Sequence, residues 1–535
     1  MALFGAIVLP ASSLEALLAS GRAPPLVLTC GGHGNFEFST FREPGKHPIG
    51  PPPPARDTLG PIPGNLHPTT LFFQDNCLVS SIVRIGNAQG FWGDDGDAPA
   101  RLVAQQPDLD YLTLDYLAEV SLSIMALQRH RDPETGYARD VVGVVRSLAP
   151  HWKDGHPVRL VTNAGGLNPA ACARACAAAL AEADCPDIPI GIVDGDDVLP
   201  LLKEAAGNPA FEDALRNWET NESIASVLDR LDTANAYIGA KAVAECLEQG
   251  ARIVITGRVA DPSLAVGPCM YRFGWSASDY DRLAGATVAG HLIECGTQVC
   301  GGISTDWLGV PDAAHIGFPV VEVSADGGCA VTKPKGTGGR VTERTVIEQL
   351  LYELGDPDCY RSPDATVRFT DIAVTQEGPD RVRVSGATGS APTEYYKVSA
   401  TYREGYRASG TLTIFGRDAV LKAERSAEII RTRLREAGAE PERFLAESIG
   451  AGACAPGVLD TAPDALEVVL RVSVADPDKA VCERFARSLA PLVTAGAQGT
   501  TGYAGGRPRV TPVFGYWPCL IPRDRVTPRA AIVES

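Results

Sequence analysis

The sequence predicts an α/β protein: a parallel, Rossmann-like sheet flanked by helices, followed by a second, α+β domain with antiparallel strands. Two observations lead to this prediction. Between residues 80 and 317, short apolar runs alternate with helical segments, the pattern of right-handed βαβ units. From about residue 320, the strands instead alternate apolar and polar residues, as antiparallel strands with one solvated face do.

These patterns divide the 535-residue chain into three parts. Residues 1–76 form an N-terminal extension with a Pro/Gly-rich linker, in which residues 4–9 are predicted as a strand. Residues 77–319 form the α/β domain that carries the main site, and residues 320–535 form the α+β domain. The predicted strands are 81–84, 112–114, 158–162, 188–193, 252–256, 381–385, 397–403 and 466–474. The predicted helices are 118–129, 170–183, 234–248, 419–437 and 476–490. The helix over 419–437 is amphipathic, with Leu421, Ile429, Ile430 and Leu434 on one apolar stripe.

Five predicted strands of the α/β domain each end in glycine, amide or charged residues. Carboxyl ends of parallel strands meet at one edge of a sheet, so we expect these loops to line one cleft. The alternative for each loop is a tight turn before a helix. The loops are 86–95, 115–119, 163–169, 194–197 and 257–262. The amide and carboxylate side chains that we expect to bind substrate there are Asn87, Gln89, Asp94, Asn163 and Asn168.

Candidate acids and bases follow from the spacing of carboxylates and a histidine. Asp115 and Glu119 are four residues apart, so both lie on one face if a helix has begun. The alternative for this pair is stabilisation of the helix N-terminus. In a helix, His291, Glu294 and Cys295 would also share a face, which suits acid–base work, a thiol nucleophile or half of a metal site. The alternative for these three is a structural role in the core.

Several cations are candidates for binding an anionic substrate group. Arg258 follows a strand directly, and Asp261 is close enough to orient its guanidinium. The alternative is an internal ion pair that orders the loop. Lys333 and Lys335 lie in a glycine-rich loop, and Arg507 follows a second one, so each loop is a candidate anion cradle or a solvated turn.

Composition narrows the class of partner. The net charge is −17, which argues against nucleic acid and anionic membrane surfaces. There is no apolar stretch of membrane-spanning length and the 14 cysteines include no CxxC pair, so we expect a cytoplasmic protein without structural zinc. The GxGxxG, GxSxG and HExxH motifs are absent, which argues against a simple dehydrogenase, an α/β-hydrolase and a zincin.

Several long strings together resemble the acyclic terpene utilisation (AtuA-type) family. They are IGNAQGFWGD, LDYLAE, VTNAGGLNP, ITGRVADPSLAVGP, AGHLIECGTQVCGG, TKPKGTGG, EQLLYELGDP and TGYAGGRPRVTPVFGYWP. The resemblance runs from about Ser80 to Asp524. It implies catabolism of branched chains through coenzyme A thioesters and a separate small partner protein, but no particular reaction or catalytic residue.

The residues and the resemblance together leave three hypotheses. The first is a cofactor-independent hydratase or dehydratase acting on an acyl-CoA or a carboxylic acid, with Asp115, Glu119, His291 and Glu294 as acids and bases. The second is an acyltransferase or thioesterase that uses Cys295. The third is a non-catalytic binding subunit that needs its small partner. We expect a homo-oligomer, and a divalent cation between Asp94, Asp115 and Glu119 is left open.

Overall fold

A computed structural model describes residues 82–208 and 210–533, apart from the side chains of Glu119 and Ala504. The extension 1–76 and its predicted strand lie outside the described residues. The strands are β1 (Ile82–Asn87), β2 (Tyr111–Leu114), β3 (Arg159–Thr162), β4 (Ile190–Asp194), β5 (Leu231–Ala236), β6 (Ile253–Thr256), β7 (Val320–Ser324), β8 (Cys329–Thr332), β9 (Tyr360–Arg361), β10 (Thr366–Arg368), β11 (Ala373–Gly378), β12 (Arg381–Ser385), β13 (Thr388–Ser390), β14 (Tyr395–Phe415), β15 (Arg443–Ile449), β16 (Glu467–Asp476), β17 (Thr500–Thr501), β18 (Thr511–Pro522) and β19 (Arg529–Ile532).

The α-helices connect these strands and cover the sheets. They are α1 (Ala98–Gln105), α2 (Glu119–Arg131), α3 (Asp140–Lys153), α4 (Pro169–Glu182), α5 (Leu199–Ala205), α6 (Lys241–Glu248), α7 (Ser263–Phe273), α8 (Tyr280–Ile293), α9 (Glu343–Leu351), α10 (Ala419–Glu436), α11 (Lys479–Ala486) and α12 (Leu492–Ala495). In the part of the chain that the structure describes, none of them is both long and apolar enough to cross a membrane.

The first sheet is mixed and has ten strands, in the order β11-β12-β8-β7-β1-β2-β3-β6-β4-β19. Its centre, β1-β2-β3-β6-β4, is parallel throughout, as the sequence predicts. Antiparallel strands extend it on both sides: β7 pairs with β1, and β19 pairs with β4. The other parallel strands all lie on one side of β1, and its neighbour on the other side is antiparallel, so a Rossmann-like arrangement is not confirmed. The boundary at 319/320 stays a prediction.

The second sheet is antiparallel, and the long strand β14 is its centre. It has the order β15-β16-β14-β17, and both β18 and β5 also pair with β14. Because β5 lies between β4 and β6 in the sequence, it links the second sheet to the parallel core. Strands β13, β10 and β9 form a third, small sheet.

Two sequence predictions about local structure are wrong. Residues 234–236 belong to β5, and the predicted helix over 234–248 begins only at Lys241. Alanine favours a helix locally, but pairing with β14 overrides that preference. The predicted apolar stripe of α10 includes Ile430 and Leu434, which are buried, whereas Leu421 is exposed.

Apolar side chains cover both faces of the parallel strands. In β3, Leu160 packs on one face and Val161 on the other, and in β6 Ile255 and Val254 alternate in the same way. Helices on both faces bury these residues. The helices and the sheet therefore fix the positions of the strand ends that carry the polar loops.

Truncating a strand residue between these layers tests the packing. Leu160→Ala removes a fully buried side chain and should lower the free energy of unfolding by about 2–5 kcal/mol. Leu308→Ala removes a side chain that is 94% exposed and should leave stability nearly unchanged. Thermal melts of both variants measure the difference, and equal melting temperatures would contradict the layer arrangement.

Candidate functional site

The carboxyl ends of the five parallel strands meet at one edge of the first sheet. Asn87 ends β1 and Asn163 directly follows β3, so the prediction that they share an edge is confirmed. Asn163 is fully buried: its Nδ2 donates to Asp115 Oδ1 at 2.6 Å, and its Oδ1 accepts from the Tyr116 amide at 2.7 Å. Asn163 therefore fixes the carboxylate that follows β2.

Arg258, after β6, lies buried among the loops and is 1% exposed. Its Nε donates to Val259 O and its Nη1 to Leu117 O, both at 2.7 Å. Its Nη2 donates to the Asp261 carboxylate, and the guanidinium lies 4.6 Å from the centre of the Tyr237 ring. This arrangement matches the internal ion pair weighed from the sequence. Binding of an anionic substrate group by Arg258 stays a prediction.

Asp196, after β4, is a buried carboxylate that the sequence did not single out. Its Oδ2 accepts from the Arg258 amide and from Asn235 Nδ2, both at 2.8 Å. Burial raises the pKa of Asp196 to about 6, although these two hydrogen bonds oppose the shift. A side chain at Gly257 would clash with this carboxylate, which explains the glycine there.

The end of α8 is tied to the end of β1. Asn87 Nδ2 donates to Ile293 O at 2.5 Å and to Glu294 O at 2.9 Å, so this amide holds two carbonyls at the helix C-terminus. Gly90 lies against the backbone of Cys295, where a Cβ would come within 2.7 Å of the carbonyl carbon. These contacts place Glu294 beside the strand ends.

His291 and Glu294 form a buried pair, as their spacing predicts. His291 Nδ1 lies 3.0 Å from Glu294 Oε1, and the imidazole lies against the rings of Tyr360 and Phe369, with centroids 5.9 and 5.8 Å away. Glu294 Oε2 is buried without a hydrogen-bond partner in the structure. Buried polar atoms without a hydrogen-bond partner are expected where a bound ligand supplies that partner.

The pair retains a proton to higher pH than either group would alone. Burial raises the pKa of Glu294, and nearby Asp115 and Glu353 add to the shift while His291 opposes it. Burial acts to lower the pKa of His291, but Glu294 and two backbone groups outweigh it, so that pKa is also raised. Burial disfavours charge on both groups, whereas the attraction between the carboxylate and the imidazolium favours charge on both.

Two adjoining cavities share Asp261 and Glu294. The inner cavity is also lined by Asn87, Thr113 and Asp115. The outer one is a cleft of about 270 Å³, lined by loops and by residues of β9 and β14. The aromatic residues of its wall are Trp218, Tyr237, Tyr360, Tyr395 and Tyr396, and its charged residues include Glu353, Arg361 and Lys397.

A family model described as "Acyclic terpene utilisation family protein AtuA" matches residues 83–532, which is most of the chain. The chain belongs to the AtuA family. No curated protein and no solved structure matches it. The matched range of this AtuA protein contains every residue of the two cavities.

Other predicted residues of this AtuA protein hold its loops together. Asn168 Oδ1 accepts from the Ala171 amide at the start of α4, and Asp94 Oδ2 accepts from the Gly90 amide at 3.1 Å. Gln89 Nε2 donates to Asp95 O at 3.2 Å. Asn168, Asp94 and Gln89 therefore stabilise the loops that they belong to. Binding of substrate by these three side chains stays a prediction.

The predicted cations lie outside the two cavities of the AtuA protein. Lys333 is buried, with its Nζ 3.1 Å from Asp380 Oδ2 and 2.9 Å from Thr337 O. Lys335 is exposed, and Arg507 is exposed in the loop before β18. The geometry therefore brings none of the three together with the His291–Glu294 pair.

Two further sequence predictions concern Cys295 as a nucleophile and a divalent-cation site. Burial and the neighbouring Glu294 raise the pKa of the Cys295 thiol, the opposite of what activates a nucleophile. Among the described residues, no three His, Cys, Asp or Glu side chains are placed to hold a metal ion. The side chain of Glu119 lies outside the described residues.

Sequence reasoning missed the residues that the second sheet and β9 bring to the cleft. Tyr237 follows β5, Lys397 lies in β14, and Tyr360 lies in β9. No local motif marks them, since they reach the site through pairings such as that of Val398 in β14 with Ala236 in β5. Only the unusual aromatic content near residue 395 was available as a signal.

The contacts of Arg258 predict that replacing its planar guanidinium lowers the free energy of unfolding. Arg258→Lys keeps the charge but cannot reach Leu117, Val259 and Asp261 together, so unfolding should become easier by on the order of 2–3 kcal/mol. Thermal melts should show no such loss for Arg507→Lys, an exposed control. Unchanged stability of Arg258→Lys would show that these contacts do not hold the loops.

The raised pKa of Asp196 predicts a pH-dependent stability. An Asp in the unfolded chain titrates near pH 4, so between about pH 4 and 6 the folded state binds more protons at Asp196. Its contribution to stability should therefore fall as pH rises through this window. Asp196→Asn should flatten that part of the profile of melting temperature against pH, whereas the exposed control Asp187→Asn should not. Parallel profiles for wild type and Asp196→Asn would refute the shift.

Proposed function

We propose that this AtuA-family protein is a hydro-lyase that removes water from a hydroxylated acyl substrate or adds it to an unsaturated one. One observation carries the proposal: Asp261 and Glu294 line the same cavities in opposite environments. Asp261 is paired with the Arg258 guanidinium, which favours its ionised form. Burial raises the pKa of Glu294, which favours its protonated form. Two carboxyl groups held apart in this way are suited to act as base and acid.

In the dehydration direction, Glu294 donates its proton to the substrate hydroxyl while the carbon–oxygen bond breaks, and water leaves. Asp261 takes a proton from the adjacent carbon, and the electron pair of that bond forms the double bond. His291, 3.0 Å from Glu294, orients the acid and relays its replacement proton. Hydration is the reverse: the Glu294 carboxylate takes a proton from the attacking water, and protonated Asp261 donates its proton to the adjacent carbon. Asp115, held by Asn163, borders the inner cavity, and its negative charge raises the pKa of Glu294.

The walls of the cleft support an apolar, branched substrate. Five aromatic side chains line it, and apolar chains bury well against such rings. The family description refers to acyclic terpene utilisation, and terpene chains are branched and apolar. We therefore propose branched acyl compounds as the substrate class. A homo-oligomer, a separate small partner protein and a cytoplasmic location belong to the same proposal.

The second candidate, acyl transfer through Cys295, has less support because the pKa of that thiol is raised. The two mechanisms predict different variants. Cys295→Ser should keep most of the activity of a hydro-lyase and lose that of an acyl-enzyme. Assays with and without a co-expressed partner protein distinguish both from a binding subunit, which would show no turnover in either case.

Activity assays on a panel of branched hydroxy and unsaturated acids, offered free and as coenzyme A thioesters, test the proposal. Glu294→Gln and Asp261→Asn should each lower kcat by about 10²–10⁴-fold, the usual contribution of a general acid or base. The matched controls Glu248→Gln and Asp187→Asn change exposed carboxylates outside the cleft and should be silent. Normal kcat in either cleft variant would refute the assignment of acid and base.

A further inference from the structure

The outer cleft carries a group of polar side chains that the acid–base chemistry does not use. Lys397 lies at the start of β14, with its Nζ 4.9 Å from the centre of the Tyr237 ring. The Tyr237 amide also donates to Lys397 O at 2.9 Å, which fixes the backbone of Lys397 at this wall. Contact with an aromatic ring restricts a lysine side chain, so its ammonium is held at the cleft.

Ser362 provides a second, independent observation. It lines the same cleft and is only 7% exposed, yet its Oγ is buried without a hydrogen-bond partner in the structure. Leaving a buried hydroxyl unpaired is unfavourable, because the group loses its hydrogen bonds to water. A ligand oxygen that accepts from Ser362 would remove this cost.

The charge balance of the cleft limits how negative its ligand can be. Among the described residues that line it, Arg361 and Lys397 are the cations, against the carboxyl groups of Asp261, Glu294 and Glu353. A coenzyme A thioester brings a diphosphate and a further phosphate, which would need several cations. A single carboxylate needs only one ammonium and a hydroxyl donor.

We propose that Lys397 and Ser362 form a carboxylate subsite, and that the substrate is a free, branched unsaturated or hydroxylated carboxylic acid. This inference rests on the proposed function, because it names the substrate class of the same cleft. The carboxylate lies at Lys397 and Ser362, the apolar chain lies along the aromatic wall, and the reacting carbons lie at Asp261 and Glu294. The cations predicted from the sequence, Arg258 among them, are not needed for this step.

Calorimetric binding tests the subsite without requiring turnover. The probe is 5-methylhex-4-enoate, compared with its neutral primary amide and its coenzyme A thioester. We expect the carboxylate to bind at least tenfold more tightly than either of the others to the wild-type chain. Equal binding of the amide, or tighter binding of the thioester, would overturn the proposal.

Variants locate the binding. Lys397→Met and Ser362→Ala should each weaken binding of the carboxylate at least fivefold, and should leave the already weak binding of the amide unchanged. The exposed control Lys203→Met should bind like wild type, and melting temperatures verify that each variant is folded. Unchanged affinity in folded Lys397→Met would overturn the subsite.

The outcomes separate this inference from the proposed function. Carboxylate binding that depends on Lys397, without any turnover, would leave the subsite standing and refute the hydro-lyase. Turnover of the thioester that depends on Glu294 but not on Lys397 would do the reverse.

Discussion

The buried guanidinium of Arg258 is the interaction on which the site depends. Through Leu117 O it holds the loop after β2, and through Val259 O and Asp261 it holds its own loop after β6. Its backbone amide donates to Asp196 after β4, so one residue joins three strand ends. Burying a charge is costly unless it is paired and hydrogen-bonded, and these contacts meet that requirement. The same contacts hold the Asp261 carboxylate against the Arg258 guanidinium at the edge of both cavities.

The parallel core could be predicted from the sequence because its information is local. Each strand is a short apolar run followed by a polar loop, and parallel pairing places all such loops at one edge. The rest of the fold depends on distant pairings. Strand β5 joins β14, more than 150 residues later, and β7 extends the first sheet beside β1. No periodicity within either segment encodes these partners, and so residues 234–236 were predicted as helix.

The candidate site also combines features that the local sequence predicts with features that depend on distant pairings. The pairing of His291 with Glu294 could be predicted because helical spacing places them together. The sequence could not predict whether a given arginine or lysine faces a ligand or an internal carboxylate, because both residue types occur in both roles. Arg258 and Lys333 lie against internal carboxylates, and Lys397 lines the cleft from a strand of the other sheet. The carboxylates of the inner cavity come from loops near the parallel strands, and the wall opposite comes from long-range pairing.

The proposed hydro-lyase mechanism requires an ionised Asp261 and a protonated Glu294 in the same cleft at neutral pH. Infrared difference spectra of the folded protein against its variants measure both charges directly. Wild type minus Glu294→Gln should show the carbonyl stretch of a protonated carboxyl group, and wild type minus Asp261→Asn should show only carboxylate bands. Carboxylate bands alone in the Glu294 difference, or a protonated carboxyl in the Asp261 difference, would contradict the account.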